Sequence, residues 1–163
     1  SGALYVHSHG DHYYDAAARR RSSGFRVDGG RCDNAPTVIA PQIIKARSGA
    51  APMTLAFVST CYNGERISKL PGAFGIATQK SAPAAVGPRS FYVGYSGVAW
   101  VRAIVRFESS FWRALRRGAT AGAAFDAALL SGYAAVDLLP DWWGSYDLVP
   151  TPPATAPEGS RSV

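Results

Sequence analysis

Two short apolar runs constrain this chain more than any other feature, because each one leads to residues that can do chemistry. The first run, 3–6, leads to His9 and Gly10, and the second, 53–58, leads to Cys61. An apolar run of this length between small residues is typical of a strand buried in a parallel sheet. The carboxyl ends of such strands meet at one edge of the sheet, where α/β proteins place their active residues. The sequence therefore predicts an α/β fold that brings His9 and Cys61 to the same edge.

These two blocks resemble the signature of the caspase-like cysteine peptidases, a group that includes caspases, legumain, gingipains, separase and bacterial caspase-like domains. Residues 4–10 read LYVHSHG and residues 55–61 read LAFVSTC, so the blocks end in His-Gly and in a small residue followed by Cys. The polar turn at 62–65 continues the match. Residues 91–95 and 107–118 are similar to the next strand and the long helix of bacterial members. The resemblance implies a three-layer α/β/α sandwich with a mainly parallel sheet.

The resemblance also implies the catalytic roles. Cys61 is the expected nucleophile and His9 the expected base, because a thiol needs a neighbouring imidazole to become a thiolate. Glycine permits a close backbone approach, and the N–H groups of Gly10 and Cys61 are the expected oxyanion hole. His7 competes with His9, since alternate strand residues share a side, and His12 is a second competitor. We therefore expect a cysteine endopeptidase that cleaves a protein or peptide substrate and needs no cofactor.

Several residues near these positions are candidates for a substrate pocket or for orienting an imidazole. Family members that cut after basic residues often carry an acid two positions before the cysteine, where this chain has Ser59. A basic preference is therefore not supported, although Asp11 or Asp15 could supply a carboxylate. The resemblance places part of the primary specificity pocket at residues 92–97. The full set of candidates is Asp11, Ser59, Tyr62, Glu65, Tyr95 and Ser96.

A zinc site is the main alternative at the first block, because residues 7–12 (HSHGDH) also fit the pattern of metallo-β-lactamase-like hydrolases. Histidines and an aspartate at this spacing can converge on a metal ion. All three histidines of the chain lie in this string, however, so the later histidine ligand of such hydrolases has no counterpart. Only six residues precede His7, where those enzymes have half of a β-sandwich. We therefore expect no metal and keep the zinc hydrolase as the weaker alternative.

Composition narrows the domain organisation and the partners. The chain has 163 residues, 47% hydrophobic and 17% charged, which suits one globular domain over 1–149 and a Pro-rich tail or linker over 150–163. The net charge of +6 is mainly arginine, but neither 19–21 nor 116–117 is interleaved with aromatic residues, so we expect no nucleic-acid partner. No run could span a membrane and no signal peptide is visible. We expect a soluble, cytoplasmic protein, and the arginine- and alanine-rich composition indicates a GC-rich bacterial genome.

The segments between the apolar runs predict the connecting elements. Residues 13–35 predict a loop or irregular helix, because Ser-Gly and Gly-Gly pairs interrupt them. A helix is predicted over 41–47, starting at a proline, which the first helical turn tolerates. Apolar residues at three- and four-residue steps predict a long helix within 97–117. Thr120 is the predicted N-cap of the helix that follows.

The first strand begins unusually early for a caspase-like chain. Such sheets place two strands before the histidine strand, whereas here that strand starts at about residue 3. An uncovered strand over 3–6 would expose unpaired backbone groups. We therefore expect that a further N-terminal segment of a longer or processed polypeptide, or a second subunit, pairs with it. If the site is incomplete without that partner, the alternative function is a catalytically silent caspase-like module that binds or regulates.

Overall fold

The computed structural model describes a mixed α/β protein with a five-stranded and a three-stranded sheet. The described residues are 2–16, 19–26, 38–39, 41, 53–65, 67–76, 80–81, 89–131 and 138–150. The strands are β1 (Ala3–His7), β2 (Gly10–Asp15), β3 (Arg20–Arg26), β4 (Val38–Ile39), β5 (Leu55–Ser59), β6 (Lys80–Ser81), β7 (Phe91–Tyr95) and β8 (Pro140–Ser145). Within the described residues the helices are α1 (Leu70–Ala73), α2 (Val101–Arg116) and α3 (Ala121–Leu129).

The larger sheet has the strand order β1-β5-β7-β8-β6. Strands β1, β5 and β7 run parallel, β8 is antiparallel to β7, and β6 is parallel to β8. The register sets His7 of β1 opposite Ser59 of β5, and Val58 of β5 opposite Gly94 of β7. The predicted α/β fold with a mainly parallel sheet is confirmed at this level.

Both faces of this sheet are covered, and β5 is buried at every position because it is apolar on both sides. Leu55 and Phe57 point to a first core, which α2 and α3 close with Phe107, Phe111 and other residues. Ala56 and Val58 point to a second core, which contains residues from α1, β3, β7 and β8. Its other fully buried or nearly buried members are Phe25, Leu70, Phe74, Ile76, Tyr92 and Trp143.

The two helices on the first face follow the predicted spacing and caps. The long helix spans Val101–Arg116 and buries Ile104, Phe107 and Phe111, which recur every three or four residues. The hydroxyl of Thr120 accepts a hydrogen bond from the N–H of Ala123 at 3.2 Å, so the predicted N-cap is confirmed. Among the described residues, no helix combines the length and the apolar character that crossing a membrane requires.

The prediction of a loop or irregular helix over 13–35 is wrong where the structure describes it. Strands β2 and β3 pair antiparallel over six residues each, from Gly10 opposite Phe25 to Asp15 opposite Arg20. Ser22, Ser23 and the neighbouring glycine resemble a turn in the sequence but are buried inside β3. Small polar residues fit here because the hairpin packs closely against the turn after β5. The helix predicted over 41–47 lies outside the described residues except for its first position, as does the tail beyond residue 150.

Candidate active site

The site forms where β1 and β5 end side by side. His9 and Cys61 each lie two residues beyond the paired residues His7 and Ser59, so parallel pairing carries them to one edge. The two backbones touch there, because a Cβ added to Gly10 would lie 1.8 Å from the carbonyl oxygen of Cys61. Position 10 therefore accepts only glycine without a shift of the backbone. The structure thus brings the His9–Gly10 peptide against Cys61.

Cys61 begins a turn at residues 61–65 that is tied to the end of β7. Its Sγ accepts a hydrogen bond from the N–H of Ala99 at 3.2 Å, and the side chain is a partly buried free thiol. The N–H of Tyr62 donates to the carbonyl of Gly97 at 3.3 Å. An N–H donor stabilises negative charge on the atom that accepts from it. The segment that follows β7 therefore both anchors the Cys61 turn and places a donor on the sulfur.

Two glycines allow the Cys61 turn to lie directly on β7. A Cβ at Gly64 would lie 2.7 Å from the carbonyl carbon and oxygen of Gly94, and a Cβ at Gly94 would lie 2.7 Å from the carbonyl oxygen of Asn63. The N–H of Gly64 donates to the carbonyl of Tyr95 at 2.8 Å. These contacts are between backbones, so any side chain at either glycine separates the turn from the strand.

The three histidines have different surroundings. The Nδ1 atom of His7 lies 3.0 Å from the hydroxyl of Ser59, and the Nε2 atom of His12 lies 2.9 Å from a carboxylate oxygen of Glu65. The ring of His12 also stacks on Tyr62, with ring centres 4.4 Å apart. His9 is exposed, and in the part of the chain that the structure describes its ring has no hydrogen-bond partner. Its two expected competitors are therefore held by other groups.

Of the two carboxylates expected near the site, neither orients His9. The carboxylate of Asp11 lies 3.0 Å from the guanidinium of Arg26, and it also accepts from the backbone N–H of His12. Glu65 holds His12 instead. Tyr62, directly after Cys61, has a left-handed backbone conformation with φ +64°. Its ring stacks on His12, which Glu65 holds in place, so these two residues stabilise that conformation.

Two expected pocket residues, Ser59 and Tyr95, lie in the core and not on a substrate surface. Tyr95 is fully buried, and Ser59 is 1% exposed. The phenols of Tyr95 and Tyr5 both donate to Glu108, at 3.1 and 2.7 Å. Burial raises the pKa of Tyr5 to about 12, and the hydrogen bond to Glu108 adds to the effect. Tyr95 is the last residue of β7, and its side chain reaches Glu108 of α2 within the core.

Ser96, the last candidate, is partly exposed and donates to the carbonyl of Gly64 at 2.6 Å. It also lines a shallow cavity of about 300 Å³ together with Leu129, Leu139, Pro140 and Asp141. Ser96 therefore supports the Cys61 turn from one side and borders an open depression on the other. This is where the structure leaves room beside the segment 92–97.

Asn63 and the N–H of Ala99 are the functional groups that the sequence pattern did not reveal. Asn63 is fully buried; its amide donates to the carbonyl of Gly24 at 3.0 Å and to the hydroxyl of Thr60. The main-chain carbonyl of Asn63 accepts a hydrogen bond from the phenol of Tyr92 at 2.8 Å. Asn63 thus joins the Cys61 turn to the β2–β3 hairpin and to the second core. The string Cys-x-Asn-Gly at 61–64 is the sequence signal that points to Asn63. It does not reveal the partners of Asn63, because Gly24 and Tyr92 are distant in sequence.

Within the described ranges, no group of three or more histidine, cysteine or acidic residues could hold a metal ion. The string 7–12 is split between the end of β1 and the start of β2, and its first and last histidines bond to Ser59 and Glu65. No family model, curated protein or solved structure matches this chain.

Proposed function

We propose that this chain is a cysteine endopeptidase with a caspase-like α/β/α fold, in which Cys61 is the nucleophile and His9 the proton carrier. The observation that carries the proposal is the backbone contact between Gly10 and Cys61 at the ends of two neighbouring parallel strands. That contact brings Gly10, the residue directly after His9, against the backbone of Cys61. The cover on both faces of a mainly parallel sheet supports the sandwich architecture.

The surroundings of the histidines favour His9 over its competitors. A proton carrier needs a ring nitrogen that is free to face the thiol or the substrate. His7 and His12 already bond to Ser59 and Glu65, whereas His9 is exposed and without such a bond within the described residues. His9 is thus the imidazole that is available for proton transfer.

The sheet register supports the proposed oxyanion hole. The N–H of Arg26 donates to the carbonyl of His9 at 2.8 Å, so these two residues form a hydrogen-bonded pair of the antiparallel ladder. Gly10, the next residue, then occupies a non-hydrogen-bonded position, and its N–H points away from β3. In the proposed mechanism this N–H and the N–H of Cys61, whose backbone touches Gly10, are the two donors to the carbonyl oxygen that gains charge.

The reaction proceeds in two balanced steps. The Cys61 thiolate forms a bond to the scissile carbonyl carbon, and the tetrahedral oxyanion is held by the N–H groups of Gly10 and Cys61. The C–N bond then breaks, and protonated His9 gives its proton to the leaving amine. Neutral His9 next takes a proton from water, whose oxygen attacks the thioester and releases the acid product and the Cys61 thiolate. Asp11, Tyr62, Glu65 and Ser96 remain the candidates for contacts with a protein or peptide substrate.

The proposal is tested with a library of fluorogenic peptides and an alkylating agent. Cys61→Ser and His9→Ala should each lower kcat/KM by at least about 100-fold, while the far-UV circular dichroism stays unchanged. Cys32→Ser is the matched control, because it removes the other thiol and should leave turnover unchanged. Iodoacetamide should label Cys61 and abolish turnover, and EDTA should have no effect.

The same experiment separates the alternatives. Full activity in the Cys61→Ser protein, or activity lost with EDTA and restored with zinc, would overturn the cysteine mechanism. If Cys61 is alkylated but no peptide or protein is cleaved, the chain is a silent binding module instead of an enzyme.

A further inference from the structure

The open side of β1 is an unusual surface, because among the residues that the structure describes it lacks the features that normally protect a sheet edge. Within the described residues β1 pairs only with β5 and forms one end of the five-stranded sheet. At the other end, the described part of β6 is Lys80–Ser81, whereas β1 has five residues. No proline and no lysine, arginine, aspartate or glutamate occurs between residues 2 and 9. Short length, charge and proline are the usual protections of an edge strand. Without them, the backbone groups of β1 are available to pair with another strand.

The hydrogen bonds to β5 define which groups of β1 remain available. The carbonyl of Gly2 accepts from the N–H of Thr54 at 2.9 Å, and the N–H of Ser8 donates to the carbonyl of Ser59 at 3.4 Å. In a parallel pair, alternate residues turn their backbone groups toward the neighbouring strand. Even-numbered residues therefore face β5. The N–H and C=O groups of Ala3, Tyr5 and His7 face outward.

We infer that a second copy of this chain pairs with β1 antiparallel, about a twofold axis at Tyr5. In this register Tyr5 of one copy lies opposite Tyr5 of the other. Ala3 of each copy lies opposite His7 of the other. All three outward-facing residues then occupy hydrogen-bonded positions at once, which gives about six backbone hydrogen bonds across the axis. The strand is therefore complementary to itself, as an isologous interface requires.

The side chains on both faces of β1 fit the same arrangement. Tyr5 is 47% exposed and already packs on Trp112, with ring centres 6.0 Å apart, so a second Tyr5 beside it would extend an aromatic cluster. On the other face Leu4 and Val6 are only partly buried against the second core. Cross-strand contacts between Leu4 of one copy and Val6 of the other would cover both. No like charges oppose each other in this register.

The pairing has a consequence for the site that does not depend on the proposed chemistry. His7 is the last residue of β1, and His9 follows two residues later. A partner strand that pairs as far as His7 would restrict the backbone that leads to His9. The first test is the mass in solution: sedimentation should give twice 17.2 kDa at micromolar concentration. A monomer at about 100 µM would overturn the inference, because the Kd of the dimer would then lie well above the micromolar concentration at which we expect it to form.

Ala3→Pro tests the backbone pairing without touching β5. Proline removes only the outward-facing N–H of residue 3 and is tolerated at the edge of a sheet. The dimer should dissociate at least about tenfold more readily, with the circular dichroism unchanged. Ala3→Ser, which keeps the N–H, is the matched control and should remain a dimer. A dimer that is equally stable in both variants would show that the contact lies elsewhere.

A disulfide tests the register. In a protein with Cys32→Ser and Cys61→Ser, Tyr5→Cys should form a cross-linked dimer on mild oxidation, because residues paired across a twofold axis lie about 5.5 Å apart. Ala3→Cys should not, since its partner is His7. Cross-linking through residue 3 instead of residue 5 would overturn the proposed register. A monomer in which the N–H groups of Ala3, Tyr5 and His7 still resist hydrogen exchange would mean that another segment covers this edge, and would overturn the assignment to a second copy.

Discussion

The α2 face of the larger sheet and the Cys61 turn are held in place by different interactions. On the α2 face, the ring centre of Phe57 lies 6.4 Å from that of Phe107 and 5.1 Å from that of Phe111. The stabilisation there comes from apolar burial. At the Cys61 turn, backbone atoms touch backbone atoms through Gly10 and Gly64, and the buried amide nitrogen of Asn63 donates a hydrogen bond to the carbonyl of Gly24. The first region depends on filled apolar volume, whereas the second tolerates almost no added atom.

The largest effect is expected from Phe57→Ala, which removes the ring at the centre of the first core. Phe57 is fully buried, so the lost contacts and the cavity should lower the free energy of unfolding by about 3–5 kcal/mol. Urea denaturation measures the loss. Val105→Ala is the control, because Val105 on α2 is 57% exposed. It should change the free energy of unfolding by no more than about 0.5 kcal/mol. Equal effects in both variants would mean that α2 does not pack as described.

Gly10→Ala should separate the two regions most clearly. The new Cβ cannot stay 1.8 Å from the Cys61 carbonyl, so the His9 strand must move away from the thiol. We expect a loss of about 100-fold in turnover, which is typical of a displacement of about 1 Å, and a smaller loss of about 1–3 kcal/mol in stability. Gly2→Ala is the control, because nothing lies within 4 Å of its added Cβ. Unchanged activity in Gly10→Ala would contradict the backbone contact.

Tyr92→Phe isolates one hydrogen bond to the Cys61 turn. The phenol of Tyr92 donates to the carbonyl of Asn63 from a buried position, so its removal should cost about 1 kcal/mol. Thermal unfolding compared with Tyr14→Phe, whose side chain is 64% exposed, measures the difference. If Tyr14→Phe destabilises the protein as much, the Asn63 contact contributes nothing.

The smallest effect should appear only at high pH. Burial and Glu108 raise the pKa of Tyr5 to about 12, so the folded state holds this proton more tightly than the unfolded chain does. The resulting stability is fully present below about pH 10, the ordinary pKa of tyrosine, and is lost as pH rises through about 12. Tyr5→Phe should flatten part of this decline in an alkaline unfolding series. An identical slope in the variant would show that other tyrosines cause it.

The sequence predicted the parts of the fold that depend on apolar periodicity. Strands β1, β5 and β7, the helix at 101–116 and the cap at Thr120 all follow from local patterns. The β2–β3 hairpin did not, because buried Ser22 and Ser23 carry the same signal as a surface turn. Strand order explains why His9 and Cys61 could be expected at one edge.

The finer structure of the site could not be predicted in the same way. The donor to Cys61 Sγ is a main-chain N–H at Ala99, and Asn63 bonds to a carbonyl at Gly24, 39 residues away. A backbone donor has no residue type to reveal it, and a contact over that distance has no periodicity. The prediction for Tyr95 was wrong because its place at the end of β7 does not show that its phenol reaches the buried Glu108.

The contact between Gly64 and Gly94 also limits how this protein can evolve. Each glycine leaves no room for a Cβ because the backbone at or beside the other occupies the space, so a substitution at one position cannot be compensated by a smaller residue at the other. Core positions such as Val58 and Val93 can drift through other aliphatic residues while total volume is kept. In diverged chains of this fold, the two glycines should therefore persist together after the apolar strands around them have lost any recognisable identity.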